Sequence, residues 1–376
     1  MQQRWGAAGG DYPGLSDLVG LHTRTQDEST MAATILITGA SGLIGFRILL
    51  AALAGGHNVR YTVRSEEKAR LVSSNPAVQK LAPGGDQLSP VVIPDFCADD
   101  AFDAALAGGV THIIHAGSPV PYPTYNPMTE VFEPTVKMTV NLLSSALKTP
   151  TVKRVVITSS IVANLGLTPP ATSAPITAST RVPLPSPLPS TFDDVFSGYI
   201  AGKMVSLHYT DTFARTQNPH FSIAHVVPGY VFGRNPLALN ADMMRSQNSS
   251  NNFLMMGMLG TESPLPIHGG FVHVDDLADL HLRVLFLEPS GARDKVEDYG
   301  VSTPVNYDTI FDIVAKAFPK AVQEGVFTRG KVPTLPVNYE TSGEVEELLG
   351  RKLRTFESAV VDVAGQYLEA LGKDKA

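Results

Sequence analysis

The chain has a single cysteine, Cys97, among 376 residues. One thiol cannot build an internal disulfide framework, so the fold must rest on a buried core, and this usage fits a reducing compartment. Positive charge is also short: 29 Lys and Arg stand against 36 Asp and Glu, for a formal net charge of −7. That balance argues against a nucleic-acid surface, which calls for a basic patch. No apolar run approaches the roughly 18 uninterrupted residues of a membrane span. Residues 1–30 carry Gly6, Gly9, Gly10, Pro13 and Gly14 with mixed charges and no apolar stretch, unlike a secretory signal. We read them as a disordered extension ahead of Met31, and expect a cytoplasmic protein that binds neither membrane nor nucleic acid. What the chain does have is 43% apolar residues, enough for one large or two modest domains.

The most informative stretch is Thr34-Ile-Leu-Ile-Thr-Gly-Ala-Ser-Gly-Leu-Ile-Gly45. An apolar run, Ile35–Ile37, predicts a buried strand, and Leu43–Leu53 has helical apolar spacing. Gly39, Gly42 and Gly45 therefore fall at a strand-to-helix turn, the context of a dinucleotide site. Gly39 is expected to make the tight turn and Gly42 to let the backbone approach a pyrophosphate. Gly45 would let the helix pack closely, with its N-terminus facing the phosphates.

Strands and helices then alternate, as a parallel sheet requires. Strands are expected at Asn58–Val63, Val91–Ile93, Thr111–His115, Val155–Thr158 and Ser222–Val227, the last ending at Pro228-Gly229. Helices are expected at Ala101–Ala107, Glu130–Leu147 and Ser197–Arg215. Residues 166–191 are rich in proline (Pro169, Pro170, Pro175, Pro183, Pro185, Pro187, Pro189) and must form an irregular loop, a frequent site of functional lids. Farther on, Asn248–Asn252 reads as a polar loop, Phe271–Val274 as a strand, and Asp275–Phe286 and Thr355–Leu371 as helices. The expected fold is α/β: a Rossmann-type doubly wound parallel sheet over residues 31–234, with 271–287 returning to it. Residues 235–270 and 288–376 are assigned to a smaller C-terminal substrate lobe.

Tyr199 and Lys203 form Y-x-x-x-K on the expected helix, one turn apart on one face. A free tyrosine, with a pKa near 10, is a poor acid or base at neutral pH. A nearby lysine ammonium is expected to stabilise the phenolate and lower that value. The phenol can then give a proton to a carbonyl oxygen as hydride reaches its carbon. Ser159-Ser160 follows the fifth strand, at the carboxyl end where open α/β sheets bind ligands, and a hydroxyl there can hold the same oxygen. His268, His273 and His281 lack metal-ligand spacing and are read as structural, so no metal is expected. The Met255–Met258 run suits either a flexible substrate pocket or packing, and is expected to border the cleft together with the proline-rich stretch.

These elements in this order resemble the extended branch of the short-chain dehydrogenase/reductase superfamily, which includes NAD-dependent epimerases and dehydratases. Within it the chain looks most like the dihydroflavonol reductase, cinnamoyl-CoA reductase and methylglyoxal reductase group. Further motifs carry the likeness: V-x-x-T-S-S at Val155–Ser160, His115-Ala-Gly-Ser-Pro119, Val227-Pro-Gly-Tyr-Val-Phe-Gly233, and Phe271-Val-His-Val-Asp-Asp-Leu-Ala278. The resemblance implies Ser160, Tyr199 and Lys203 as catalytic residues, Lys203 also lying by the cofactor ribose. It implies Gly39, Gly42, Leu43, Ile44 and Gly45 at the pyrophosphate, and Asp95 and Phe96 beside the adenine. Ala116 and Ser118 would lie along the nicotinamide ribose, Pro228 and Val231 near the nicotinamide amide. The chain departs from the family pattern at Gly202, before the lysine, where serine is common, and in the proline-rich stretch.

Cofactor choice is read at the end of the second strand. Where an NAD-selective fold tends to place an acidic residue, the chain has Arg64, with Lys68 four residues on and Arg60 as a reserve. A planar guanidinium can pair bidentately with a 2′-phosphate. The expectation is therefore NADPH-dependent reduction of an aldehyde or ketone, a small-molecule substrate, by a monomer or homodimer. Two alternatives stay open: a nucleotide-sugar epimerase or dehydratase with tightly bound NAD, and a non-catalytic dinucleotide-sensing regulator.

Overall fold

The structure is a computed structural model that describes residues 32–168, 175–291 and 294–373. The expected disordered extension, and Pro169 and Pro170 of the proline-rich stretch, lie outside the described residues. The chain forms β1 (Thr34–Thr38), β2 (Asn58–Val63), β3 (Leu88–Val92), β4 (His112–His115), β5 (Arg154–Thr158), β6 (Ser222–Pro228), β7 (Tyr230–Phe232), β8 (Ile267–His268), β9 (Gly270–His273) and β10 (Glu297–Val301). Seven of these make one parallel sheet in the order β3-β2-β1-β4-β5-β6-β10. The chain reverses its winding between β1 and β4, the switch point at which such sheets bind ligands.

Both faces of the sheet are covered, so its strands are apolar on alternate sides rather than on one. Ile35 and Ile37 pack beneath the helices Leu43–Ala54 and Val274–Phe286, with Phe46, Leu49, Leu277 and Val284. Leu36 faces the other way, with Ile113, Val155 and Ile223, toward the helices Glu133–Leu147 and Val195–Gln217. A separate apolar core, including Phe232, Met258, Phe271, Tyr307 and Val360, belongs to the region beyond β6. No helix among the described residues is long and apolar enough to cross a membrane.

Several elements depart from the sequence reading. Pro90 lies inside β3, which is tolerated because β3 is an edge strand. The helix expected from Glu130 is regular only from Glu133; Pro127–Phe132 is a wider π turn, capped by Asn126. The expected polar loop at Asn248–Asn252 gives way at Asn251 to the helix Asn251–Met258, where Leu254, Met255 and Met258 are buried. Within 288–376, assigned from sequence to the lobe, Glu297–Val301 is the seventh strand of the sheet, and Val345 and Leu349 pack in the sheet's core.

The proline-rich stretch is a strap. Among its described residues only Ile176 pairs with another strand-like residue, Tyr339. Asn164 Nδ2 donates to the carbonyls of Ala178 (3.1 Å) and Thr180 (2.7 Å). Arg181 pairs with Asp211 (2.6 Å) and Asp298 (2.8 Å), and His208 bonds the Val182 carbonyl at 2.8 Å.

Candidate active site

At Gly39 and Gly45 the surrounding backbone leaves no room for a side chain. Gly39 has φ +75°, and a Cβ there would lie 2.7 Å from the Gly117 nitrogen. A Cβ on Gly45 would lie 2.3 Å from the Gly39 carbonyl oxygen. Gly42 differs: its Cβ would meet only that same oxygen, at an ordinary 3.4 Å. Its open side is room for a ligand rather than for the fold. Gly42 is also the N-cap of the helix and offers no side-chain cap. The first-turn N–H groups of Leu43, Ile44 and Gly45 thus keep the unspent donors with which helix N-termini hold phosphates. The turn fits a dinucleotide.

Tyr199 enters the cleft from the first turns of the helix Val195–Gln217. Asp194 caps that helix, its Oδ1 accepting from the N–H groups of Phe196 (2.8 Å) and Ser197 (2.9 Å). Two glycines one turn apart let the helix come close to its neighbours. A Cβ on Gly198 would lie 2.5 Å from the Pro127 carbonyl oxygen, and one on Gly202 3.0 Å from Thr135 Cβ. The departure at Gly202 thus has a packing reason. Phe196 stacks on Tyr199 with ring centres 6.2 Å apart, and Val182 and Leu184 of the strap pack against the same cluster.

The charges fall differently from the sequence reading. Burial pushes the Tyr199 phenol up to about 12, and a hydrogen bond with Ser160 works against that rise. Lys203 makes no hydrogen bond to it among the described residues. Its ammonium, 5.8 Å from the centre of the phenol ring, donates instead to the Thr158 carbonyl at 2.9 Å. Burial pulls Lys203 itself down to about 8. A phenol that keeps its proton at neutral pH is fitted to act as an acid, because an alkoxide is far more basic than a phenolate. Ser160 also caps the short helix Ile161–Leu165, while Ser159 is buried behind it, its N–H on the Val226 carbonyl at 2.8 Å. The second serine of the pair is the one beside the phenol.

Thr158 is held in turn by a residue whose partner the sequence did not reveal. His281 Nδ1 bonds the Leu277 carbonyl at 2.7 Å, which leaves Nε2 to accept from the Thr158 hydroxyl, also at 2.7 Å. Burial keeps this imidazole neutral, down to about 4. His273 Nδ1 accepts from the Asp275 N–H, and its Nε2 lies 3.1 Å from Asp362. Both histidines serve as structural partners. No local pattern pairs Thr158 with His281, since the contact spans β5 and a helix far along the chain.

The other expected cofactor contacts lie at or beyond the carboxyl ends of β2, β3, β4 and β6. Arg64 is exposed at the end of β2, and Lys68 lies in the first turn of the helix Glu66–Ser73, which Ser65 caps. Arg60 is committed elsewhere: it donates to the carbonyls of Ala105 and Ala107, so it is no reserve for a phosphate. After β3, Asp95 turns its carboxylate onto the Cys97 N–H (2.8 Å), and Phe96 stacks on Phe102. Beyond β4, the Ser118 and Thr135 hydroxyls are 3.4 Å apart and Ala116 is half-buried. Pro228 ends β6, and the Val231 carbonyl accepts from Ser250. Asn248 reaches across to the Val120 carbonyl at 3.4 Å, bringing the polar loop over the β4 side. Met255 and Met258 are core residues, so the methionine run is packing.

The model of the NAD dependent epimerase/dehydratase family matches residues 35–295. Ketoreductase CTB6 of Cercospora nicotianae is 33% identical over 354 residues, covering 91% of this chain and 96% of that protein. NAD-dependent epimerase/dehydratase ALT6 of Alternaria alternata is 33% identical over 338 residues, covering 85% and 93%. Among solved structures, yeast methylglyoxal/isovaleraldehyde reductase Gre2 complexed with NADPH shares the fold with a TM-score of 0.70. It is 22% identical, and the match covers 90% of this chain and 99% of that one. By its sequence and its parallel seven-stranded sheet, the chain belongs to the NAD-dependent epimerase/dehydratase family, within its extended short-chain reductase group.

Proposed function

We propose that the protein is an NADPH-dependent reductase that converts an aldehyde or ketone to an alcohol. One relative is named a ketoreductase, and the structurally similar methylglyoxal/isovaleraldehyde reductase Gre2 is complexed with NADPH. What supports the reading is the half-buried Tyr199 beside Ser160 at the carboxyl end of β5, its phenol pushed up by burial and so kept protonated at neutral pH. When bound, the cofactor supplies the hydride. Ser160 donates a hydrogen bond to the substrate oxygen and fixes its position. Tyr199 gives its O–H proton to that oxygen as negative charge develops there. Lys203, anchored on the Thr158 carbonyl, places its positive charge beside the phenolate that results. Arg64 and Lys68 are assigned to the 2′-phosphate; no side chain among the described residues engages the Arg64 guanidinium. Asp95 and Phe96 are assigned to the adenine end, Ala116 and Ser118 to the ribose, and Pro228 and Val231 to the amide.

The test is a panel of aldehydes and ketones incubated with NADPH or NADH while absorbance at 340 nm is followed. The expected result is substrate-dependent loss of absorbance, faster with NADPH, and formation of the alcohol. An epimerase or dehydratase with retained NAD, or a dinucleotide-sensing regulator, leaves the absorbance unchanged with every carbonyl.

A further inference from the structure

The chemistry proposed above makes no use of Tyr230. This residue follows Pro228 and Gly229 at the carboxyl end of β6 and begins β7. Beside β6 lies β5, whose own end carries the Ser159-Ser160 pair. Thr158 is level with Val226, and the Ser159 N–H donates to the Val226 carbonyl at 2.8 Å. Ser160 and Tyr230 therefore leave neighbouring strands at the same end of the sheet, the end at which such sheets bind ligands. The link from β6 to β7 has no slack. A Cβ on Gly229 would lie 2.6 Å from both the Gly270 carbonyl carbon and Ser302 Oγ, and the Gly229 N–H donates to the Val301 carbonyl at 3.0 Å.

The Tyr230 ring is held on three sides. It stacks on Phe232 with ring centres 6.2 Å apart, and meets Phe253 (5.5 Å) and Tyr307 (6.2 Å) edge to face. Its hydroxyl is not held at all. Tyr307, fully buried next door, has its own hydroxyl within hydrogen-bond reach of the carbonyls of His268 (3.1 Å) and Gly270 (3.0 Å). Tyr230 is half-buried, and its hydroxyl has no hydrogen-bond partner among the described residues. A tyrosine packed this firmly ordinarily finds a partner for its O–H, and a phenylalanine would fill the same aromatic space without the polar atom. Burial first, and then the nearby Tyr199, push the Tyr230 phenol up, so it keeps its proton and can only be a donor to a ligand oxygen. The two phenols are close enough to sense each other, yet only Tyr199 has Ser160 beside it.

We propose that Tyr230 is a specificity residue that donates a hydrogen bond to a second oxygen of the substrate, so that the substrate is a carbonyl compound bearing a hydroxyl or a further carbonyl near the group that is reduced. The inference rests on the function proposed above. Ser160 and Tyr199 take the reacting oxygen, and Tyr230 takes the other. Its O–H bond stays intact throughout, and it gives up no proton. What it adds is discrimination: a substrate without the second oxygen leaves a half-buried donor unpaired. A bond made equally in the bound substrate and in the transition state lowers KM and leaves kcat nearly unchanged. Held by Phe232, Phe253 and Tyr307, the hydroxyl needs little ordering when the substrate arrives.

The test measures kcat and KM with NADPH for three compounds on the carbon skeleton of the best substrate in the carbonyl panel. They are the plain ketone, the ketone with a hydroxyl on a nearby carbon, and the ketone with a second carbonyl there. The wild type should favour the hydroxy ketone over the plain ketone by about tenfold in kcat/KM, the upper end for one neutral hydrogen bond. Tyr230→Phe keeps the ring and its packing. In it kcat/KM for the hydroxy ketone should fall by about tenfold, mostly through KM. The plain ketone and the NADPH dissociation constant should stay within about twofold. A fall shared by the dicarbonyl compound supports either kind of second oxygen, and a fall for one compound alone supports that kind. An equal fall for all three overturns the inference, by marking Tyr230 as packing or as a partner of the reacting oxygen. An unchanged preference in the Phe variant overturns it too, and both results leave the reductase standing. If Tyr230→Phe does not fold, the wild type decides: a preferred hydroxy ketone supports the inference and no preference overturns it. A wild-type enzyme that oxidises NADPH with no carbonyl overturns the reductase reading itself, and the inference with it.

Discussion

At the Gly39–Gly45 end of the cleft the chain presents backbone, whereas at the Tyr199 end it presents side chains. The first surface exists because three positions lack a Cβ, and two of them would collide with their surroundings if they had one. The second is made of polar groups, the half-buried Ser160 and Tyr199 and the buried Lys203 and Thr158, and burial has moved the proton affinities of Tyr199 and Lys203. The two kinds of surface should fail differently. Damage to the backbone end should appear in stability and cofactor affinity; damage to the side-chain end should appear in turnover and pH dependence.

The largest effect is expected at Gly45. In Gly45→Val the new side chain has no space beside the Gly39 carbonyl, so NADPH binding should be lost. Stability should fall by about 3 kcal/mol, the upper end of overpacking costs. Fluorescence titration and thermal melting check this, and a stable variant that still binds NADPH would break the comparison. Lys203 tests the opposite end. Its folded pKa lies below that of an unfolded lysine, so the unfolded chain binds more protons between about pH 8 and 10.5. Stability from this group is therefore full above that window and lost as pH falls through about 8. Relative to Lys203→Met, the wild type should gain up to about 3 kcal/mol from pH 7 to pH 10, measured by denaturant unfolding. No change in the difference between the two proteins would mean that the ammonium is well solvated.

Smaller effects sharpen the division. Arg64→Ala should lower the NADPH-to-NADH ratio of kcat/KM by about tenfold, the worth of one charge-assisted contact, with NADH use retained. An unchanged ratio removes Arg64 from the phosphate. The smallest change in stability is expected at Gly42→Ala, within about 0.5 kcal/mol, because its Cβ meets only ordinary contact. NADPH binding should still weaken several-fold. A stability loss as large as that of Gly45→Val would show that the open side of Gly42 is needed by the fold.

The backbone end was legible because it is local: a strand, a glycine turn and a helix within Thr34–Gly45 carry their own context. The Tyr-x-x-x-Lys spacing was legible for the same reason. What Lys203 does was not, because its partner is a carbonyl on β5 and its surroundings are set by packing of helix on sheet. The strand β10, Glu-Asp-Tyr-Gly-Val, hid because an edge strand can carry polar residues, and its Asp298 meets His225 only through register. Met255 and Met258 show the reverse case, an apolar run that suits pocket or core equally until the neighbours are known. Local signals point to the candidate site, and long-range pairing decides the surroundings of its polar groups.

Tyr199→Phe tests the central claim most directly, with NADPH affinity and turnover measured on the same preparation. Removing one hydroxyl from the side-chain end should leave the NADPH dissociation constant within about twofold, since the backbone end is untouched. Turnover of the best carbonyl substrate should fall at least about a hundredfold, the usual scale for a general acid. Near-normal turnover in the Phe variant would contradict the account and remove Tyr199 from the chemistry.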